Sequence, residues 1–136
     1  MSFLLDTNIV SELRKGTRSN AGVSRWFASV DQDDLQLSVL VIGELRQGIE
    51  RLRRRDVAAA RRIDRWLLTV VDAFADRVLA VDARVAEIWG ALNVPDPLPA
   101  VDGLLAATAI AHDLTLVTRN SRHVERTGVR LINPFD

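Results

Sequence analysis

The stretch Ser2-Phe3-Leu4-Leu5-Asp6-Thr7-Asn8 joins a short apolar run to residues that favour the start of a helix. The apolar run predicts a short buried strand that ends just before Asp6. Asp6, Thr7 and Asn8 carry side chains that cap helices, so we expect a helix to follow as far as about Arg14. The segment therefore predicts a strand–helix unit with a carboxylate at the junction.

Short apolar runs and amphipathic stretches alternate along the rest of the chain. Further strands are predicted at 35–38, 78–81, 115–118 and 130–133, and further helices at 21–30, 39–53, 56–74, 83–92 and 101–112. Strands that alternate with helices favour a parallel sheet with helices on both faces. We therefore predict an α/β fold with three layers, α/β/α, around a central parallel sheet of about five short strands.

Length and composition narrow the class of protein. With 136 residues and 48% hydrophobic residues, the chain is predicted to form a single domain over 1–136 with a substantial core. No run approaches the roughly 18 apolar residues of a membrane span, and we expect no signal peptide before Asp6, so we expect a cytoplasmic protein. The absence of cysteine excludes disulfides, thiolate nucleophiles and cysteine-based zinc sites.

Three acidic residues stand in apolar surroundings. Asp6 follows the first strand, Glu44 follows the apolar run 37–43, and Asp102 lies near the start of the apolar helix 101–112. Carboxylates are rarely buried unless they are paired or bound to a cation. If the fold brings the three together, their repulsion requires a positive charge, and a divalent metal with oxygen ligands is the simplest candidate.

Each acid also has a simpler interpretation. In this interpretation, Asp6 and Asp102 are simply helix caps, and Glu44 is a solvated helix residue. Topology predicts that Asp6, Thr118 and Asn120, which follow strands, meet at the carboxyl edge of the sheet. Asp102 begins a helix that leads into a strand, and we expect such a helix to start at the opposite edge. Topology alone therefore does not place Asp102 at the site.

Four blocks of the chain, in order, resemble the PIN domain and in particular the VapC-type ribonuclease toxins of bacterial toxin–antitoxin pairs. The blocks are 4–13, 42–49, 102–109 and 116–120. The first contains the strand–helix unit with Asp6, and the others contain Glu44, Asp102 and Asn120. The resemblance therefore extends over nearly the whole chain and implies a PIN-like fold.

The resemblance also implies roles for these residues. Asp6, Glu44 and Asp102 are expected to bind Mg²⁺ or Mn²⁺, and Asn120 occupies the position of a fourth acid in the catalytic set. An amide can coordinate through its oxygen but brings no negative charge. Two further positions, Asn8 and Thr118, match polar residues that support the metal site. The implied activity is metal-dependent endoribonuclease cleavage of RNA phosphodiester bonds, in which the cation activates water.

The same resemblance implies partners. A VapB-like antitoxin is expected to neutralise the protein, and family members generally form homodimers. Trp26, Trp66 and Trp89 fall on apolar helix stripes, which predicts that they lie in the core or at an interface.

The segment 46–65 carries eight arginines against Glu50, Asp56 and Asp64. Such a segment can contact RNA phosphates, and we take Arg53 and Arg54 as candidate RNA-binding residues. The alternative is a solvated helical face on which some arginines pair with those acids.

Other interpretations are less well supported. A phosphoacceptor receiver domain requires an acidic pair after the first strand and a lysine near the last, whereas Lys15 is the only lysine. A PIN-like module that binds RNA or a partner without cleavage is the alternative function, and Asn120 is its best argument. His112 and His123 are predicted to be structural, at a helix end and in a polar loop respectively.

Overall fold

The computed structural model describes all residues from Met1 to Asp136. Its five strands are β1 (Phe3–Leu5), β2 (Leu35–Ser38), β3 (Val78–Leu79), β4 (Thr115–Val117) and β5 (Leu131–Ile132). They form one sheet in the order β3-β2-β1-β4-β5, and every neighbouring pair is parallel. The predicted fold class is confirmed, and each strand ends within two residues of its predicted position.

Six α-helices connect the strands. They are α1 (Thr7–Leu13), α2 (Ala21–Ser29), α3 (Val39–Arg53), α4 (Val57–Phe74), α5 (Ala83–Leu92) and α6 (Ala100–Ala111). Five of them begin where a side chain accepts hydrogen bonds from amides of the first turn, and these caps are Asp6, Asn20, Ser38, Asp56 and Asp82. None of the helices has the length and apolar character needed to cross a membrane.

The core lies around the middle strands of the sheet. Leu4 and Leu5 of β1 are fully buried, as are Leu35 and Leu37 of β2. Burial of each such side chain contributes about 1.5–3 kcal/mol, and helices on both faces explain why the strands are continuously apolar. Because β1 is the central strand, the residue after it, Asp6, lies at the centre of the carboxyl edge.

The three tryptophans pack within the chain. Trp26 contacts Phe3 edge to face, with ring centroids 5.3 Å apart. Trp66 packs against the main core, and Trp89 packs against the smaller cluster that contains Val85. All three are therefore partly used for folding, and their role in a dimer stays a prediction.

The direction of α6 corrects one expectation. Only three residues, 112–114, separate the end of α6 from the start of β4, and Leu114 donates its amide hydrogen to the carbonyl of Ala109 at 2.8 Å. A helix that returns the chain to the start of a parallel strand must run against the strands, so it begins at the carboxyl edge. The expectation that Asp102 starts at the opposite edge was therefore wrong, and Asp102 lines the same cavity as Asp6.

Candidate metal centre and active site

Asp6 is the central side chain of the candidate site. Asp6 is only 5% exposed and lies at the junction between β1 and α1. Oδ1 accepts a hydrogen bond from the amide of Thr7 at 2.7 Å, and this contact caps α1. Oδ2 accepts from Thr118 Oγ1 at 2.7 Å and from Asn8 Nδ2 at 3.3 Å. The two predicted supporting residues thus both contact Asp6.

The surroundings of Asp6 disfavour its negative charge. Burial raises the pKa of its carboxyl above the ordinary value of 3.8, whereas the hydrogen bonds from Thr118 and Thr7 lower it. The charges of Asp102 and Glu44 raise this pKa further. Because both acidic neighbours oppose ionisation, a cation bound among the three carboxyl groups would relieve the repulsion.

Glu44 lies in the second turn of α3 and is partly exposed. Its Oε1 accepts a hydrogen bond from the hydroxyl of Thr7 at 2.6 Å. Thr7 therefore connects two of the acids, since its amide binds Asp6 and its hydroxyl binds Glu44. Sequence analysis assigned Thr7 no site role, and its position directly after Asp6 was the signal that could have found it.

Asp102 and Asn120 complete the cavity next to Asp6. The cavity is lined by Asp6, Asp102, Leu105, Leu116, Thr118, Asn120 and Val124. Asn120 is exposed, and its amide donates to Thr118 Oγ1 at 2.9 Å. The structure thus brings Asp6, Asp102 and Asn120 together around one cavity, while Glu44 reaches this group through Thr7.

His123 contacts the candidate site, a contact that the sequence analysis did not predict. It ends the short 3-10 turn Ser121–His123, and its Nδ1 lies 2.6 Å from Oδ2 of Asp102. With Asp102 as a carboxylate, which only accepts hydrogen bonds, this contact requires the proton on Nδ1. No local pattern marks the contact, since the two residues belong to different elements.

The donor set fits a hard divalent cation in its chemistry. All three acids offer carboxylate oxygens, the ligands that Mg²⁺ and Mn²⁺ prefer, and none of the three forms an ion pair with a lysine or arginine. In this structure no group of three acidic or histidine side chains is arranged to hold a metal ion. Binding one ion through all three would therefore require side-chain rotation, most readily at Glu44, which is partly exposed.

The arginine-rich segment forms an ion-pair network between α3 and α4. Asp64 accepts from Arg46 at 2.9 and 3.1 Å and from Arg53 at 3.0 Å. Glu50 accepts from the same two arginines. Arg53 is thus held by acids, as the alternative interpretation describes, whereas Arg54 is exposed and makes no ion pair. Their role in RNA binding stays a prediction.

Comparison with known proteins places the chain in a family. The model of the PIN domain matches residues 3–129. The toxin FitB of Neisseria gonorrhoeae is 31% identical over 140 residues, covering 97% of each chain. The VapC ribonuclease Y4jK of Sinorhizobium fredii is 31% identical over 141 residues, covering 98% of this chain and 97% of that protein.

Solved structures agree with these relatives. The crystal structure of FitAcB from Neisseria gonorrhoeae superposes with a TM-score of 0.84 at 30% identity, covering 97% of both chains. Sequence and fold are therefore shared along almost the whole length, and the acids stand at the carboxyl edge of that common sheet. The chain belongs to the PIN-domain family, among its VapC-type members.

Proposed function

We propose that this protein is the ribonuclease toxin of a VapBC-type pair and that it cleaves RNA with Mg²⁺ or Mn²⁺ bound by Asp6, Glu44 and Asp102. The observation that carries the proposal is the buried Asp6 carboxyl, whose pKa is raised by burial and by two neighbouring acids. The names of relatives support it, since one is called a toxin and two are called VapC ribonucleases. The ribonuclease class follows from this kinship, and the metal dependence is our inference from the acids.

The side chains have distinct tasks in this proposal. When bound, a divalent cation activates water and stabilises the charge that develops on the phosphate oxygens. Asp6 is held in place by Thr7, Asn8 and Thr118, so its carboxylate needs little reorganisation on binding. Glu44 and Asp102 provide the remaining negative charge, which would attract the cation. We infer that Asn120, which lines the cavity, orients water or a phosphate oxygen without adding charge.

A second candidate function is a PIN-like module that binds RNA or a partner without cleavage. Asn120 favours it, because an amide in place of a fourth acid lowers the negative charge available for a second cation. The three remaining acids still offer the ligands for one ion, so we place cleavage first.

The test is cleavage of total RNA by the purified protein in Mn²⁺ and in Mg²⁺. We expect cleavage that EDTA abolishes, and we expect Asp6→Asn and Asp102→Asn to be inactive with unchanged circular dichroism spectra. Asp72→Asn is the matched control, because Asp72 is exposed on α4 and forms no ion pair. Full activity in EDTA would contradict metal dependence, and RNA binding without cleavage in either metal would favour the second candidate.

The partners follow from the same kinship. We propose that a VapB-like antitoxin neutralises the protein in the cytoplasm, and solved structures of the same fold include the DNA-bound FitAB and VapBC structures. We also propose a homodimer, which light scattering can check against the monomer mass of 15.1 kDa.

A further inference from the structure

A chain of hydrogen bonds joins the first acid of the site to the third. Thr118 Oγ1 donates to Asp6 and accepts from the amide of Asn120 at 2.9 Å. The carbonyl of Asn120 accepts from the amide of His123 at 3.0 Å, and Nδ1 of His123 contacts Asp102 Oδ2 at 2.6 Å. The short turn after β4 therefore connects to both acids, and His123 is the only side chain by which it holds Asp102.

We propose that His123 is a positioning residue for metal binding, which holds the Asp102 carboxylate through Nδ1–H. This inference rests on the proposed function, because it assumes that Asp102 binds the cation. The bond occupies Oδ2, and Oδ1 has no hydrogen-bond partner in the protein, so one oxygen is oriented while the other is available to the ion. Carboxylates that bind metals are commonly held in this way by a neighbouring donor.

The burial of the pair argues against a role in folding alone. The His123 side chain is 51% exposed, whereas that of Asp102 is 17% exposed. On the half-exposed His123 side of the pair, water competes for the bond and limits what the contact contributes to stability. The turn itself is anchored by Val124, which is buried and lines the same cavity. Loss of the imidazole should therefore free the Asp102 carboxylate while the turn stays in place.

The chain offers a matched control. His112 is the only other histidine, and it caps the opposite end of the helix that carries Asp102. It is exposed and its side chain makes no hydrogen bond to an acid. His112→Ala therefore removes the same side chain from α6 without touching the site.

The first measurement is calorimetric titration of the full chain with Mn²⁺ alone. We expect His123→Ala to bind Mn²⁺ about 10–100-fold more weakly than the wild type, the usual effect of removing a group that orients a metal ligand. His123→Asn should recover most of the affinity, because its amide nitrogen can take the place of Nδ1, and His112→Ala should match the wild type. Thermal melts in EDTA verify that all variants fold.

The second measurement needs no metal. Long-range ¹H–¹⁵N NMR correlations of the metal-free protein report which imidazole nitrogen carries the proton. We expect His123 to be protonated at Nδ1, and we expect this preference to be lost in Asp102→Ala. This measurement tests the contact even if the metal dependence of the proposed function fails.

Each outcome bears on a different part of the proposal. Unchanged Mn²⁺ affinity in a folded His123→Ala variant overturns the positioning role while leaving the proposed function intact. An equal loss in His123→Asn and His123→Ala also overturns it, because the donor at Nδ1 is then irrelevant. A wild type that binds neither Mn²⁺ nor Mg²⁺ overturns the metal site and the positioning role together.

Discussion

Asp6 combines a stabilising and a destabilising role in one carboxyl group. As the cap of α1 it stabilises the helix by about 1 kcal/mol, but its burial beside two other acids opposes the ionised form. Its pKa is raised in the folded state, so the folded protein retains this proton to higher pH than the unfolded chain does. The contribution of this group to stability therefore declines as the pH rises above 3.8.

The first prediction concerns how the stability of Asp6→Asn depends on pH. In EDTA, the melting temperature of Asp6→Asn relative to the wild type should increase as the pH rises from about 4 towards neutrality. Saturating Mn²⁺ should then stabilise the wild type and leave Asp6→Asn unchanged. Thermal melts across a pH series measure both effects, with Asp72→Asn as the control variant. A constant difference between Asp6→Asn and the wild type would show that the Asp6 charge is not disfavoured.

The ion-pair network joins α3 to α4. The arginines beside Asp64 and Glu50 lower the pKa of both carboxyls, and the same bonds raise the pKa of Arg46 and Arg53. A carboxyl with a lowered pKa contributes stability above its unfolded value, and this stability is lost as the pH falls through the folded value. The hairpin of α3 and α4 should therefore loosen in acid.

The second prediction tests this network with Asp64→Asn. The substitution removes the charge that receives three arginine hydrogen bonds, so we expect a lower melting temperature at neutral pH in low salt. The difference from the wild type should shrink below about pH 4 and at about 1 M salt, since protonation and screening weaken the same pairs. Asp72→Asn, on the same helix, should show no such dependence. An Asp64→Asn melting curve identical to the wild type would leave the network without a stabilising role.

The third prediction concerns RNA. Because Arg53 is engaged with Glu50 and Asp64, Arg53→Gln would also remove part of the ion-pair network. The free arginines at the end of α3 are therefore better probes. Arg54→Gln with Arg55→Gln should weaken RNA binding in EDTA. It should also reduce the slope of log affinity against log salt concentration by about one for each phosphate that is no longer neutralised. Arg18→Gln with Arg84→Gln removes the same charge elsewhere and serves as the control. Filter binding at several salt concentrations gives the slope, and equal slopes in both double variants would assign 46–65 to the solvated-face interpretation.

The surface of the protein also carries an apolar groove, separate from the cavity that the acids line. It has a volume of about 240 Å³ and is formed by α1, α2 and α4, and its lining includes Leu13, Phe27, Trp66, Val70 and Phe74. Leu5, the residue before Asp6, also lines it. We expect an apolar segment of the antitoxin to pack in this groove, because most of its lining residues are hydrophobic.

The fourth prediction places a large charged side chain in that groove. Thr69 is exposed and lines the groove, so Thr69→Arg should obstruct it without disturbing the core. We expect at least about a tenfold loss of antitoxin affinity, the effect expected at a central interface position. Asp72→Arg places the same residue one turn further along α4, outside the groove, and should bind normally. Isothermal titration with the cognate antitoxin compares the two, and equal affinities would exclude this groove as the binding surface.

Much of this protein is determined by local sequence. The alternation of short apolar runs and amphipathic stretches predicted α3, α5 and β2 at the residues where they occur, because helix and strand formation depends on neighbours a few positions away. The acidic candidates Asp6, Glu44 and Asp102 were also visible in the sequence, through their apolar surroundings and the resemblance to PIN domains. Topological reasoning alone placed Asp102 at the wrong edge, and the direction of α6 corrected it.

The tertiary structure decided which of these side chains meet. The strand order puts β4 beside β1, and this pairing brings Thr118 onto Asp6 across 112 positions of sequence. The same long-range packing sets Glu44 against Thr7 and His123 against Asp102, and it pairs Arg53 with Asp64. The physical reason is that local preferences specify each element on its own, whereas contacts between distant residues depend on which elements become neighbours when the core is buried.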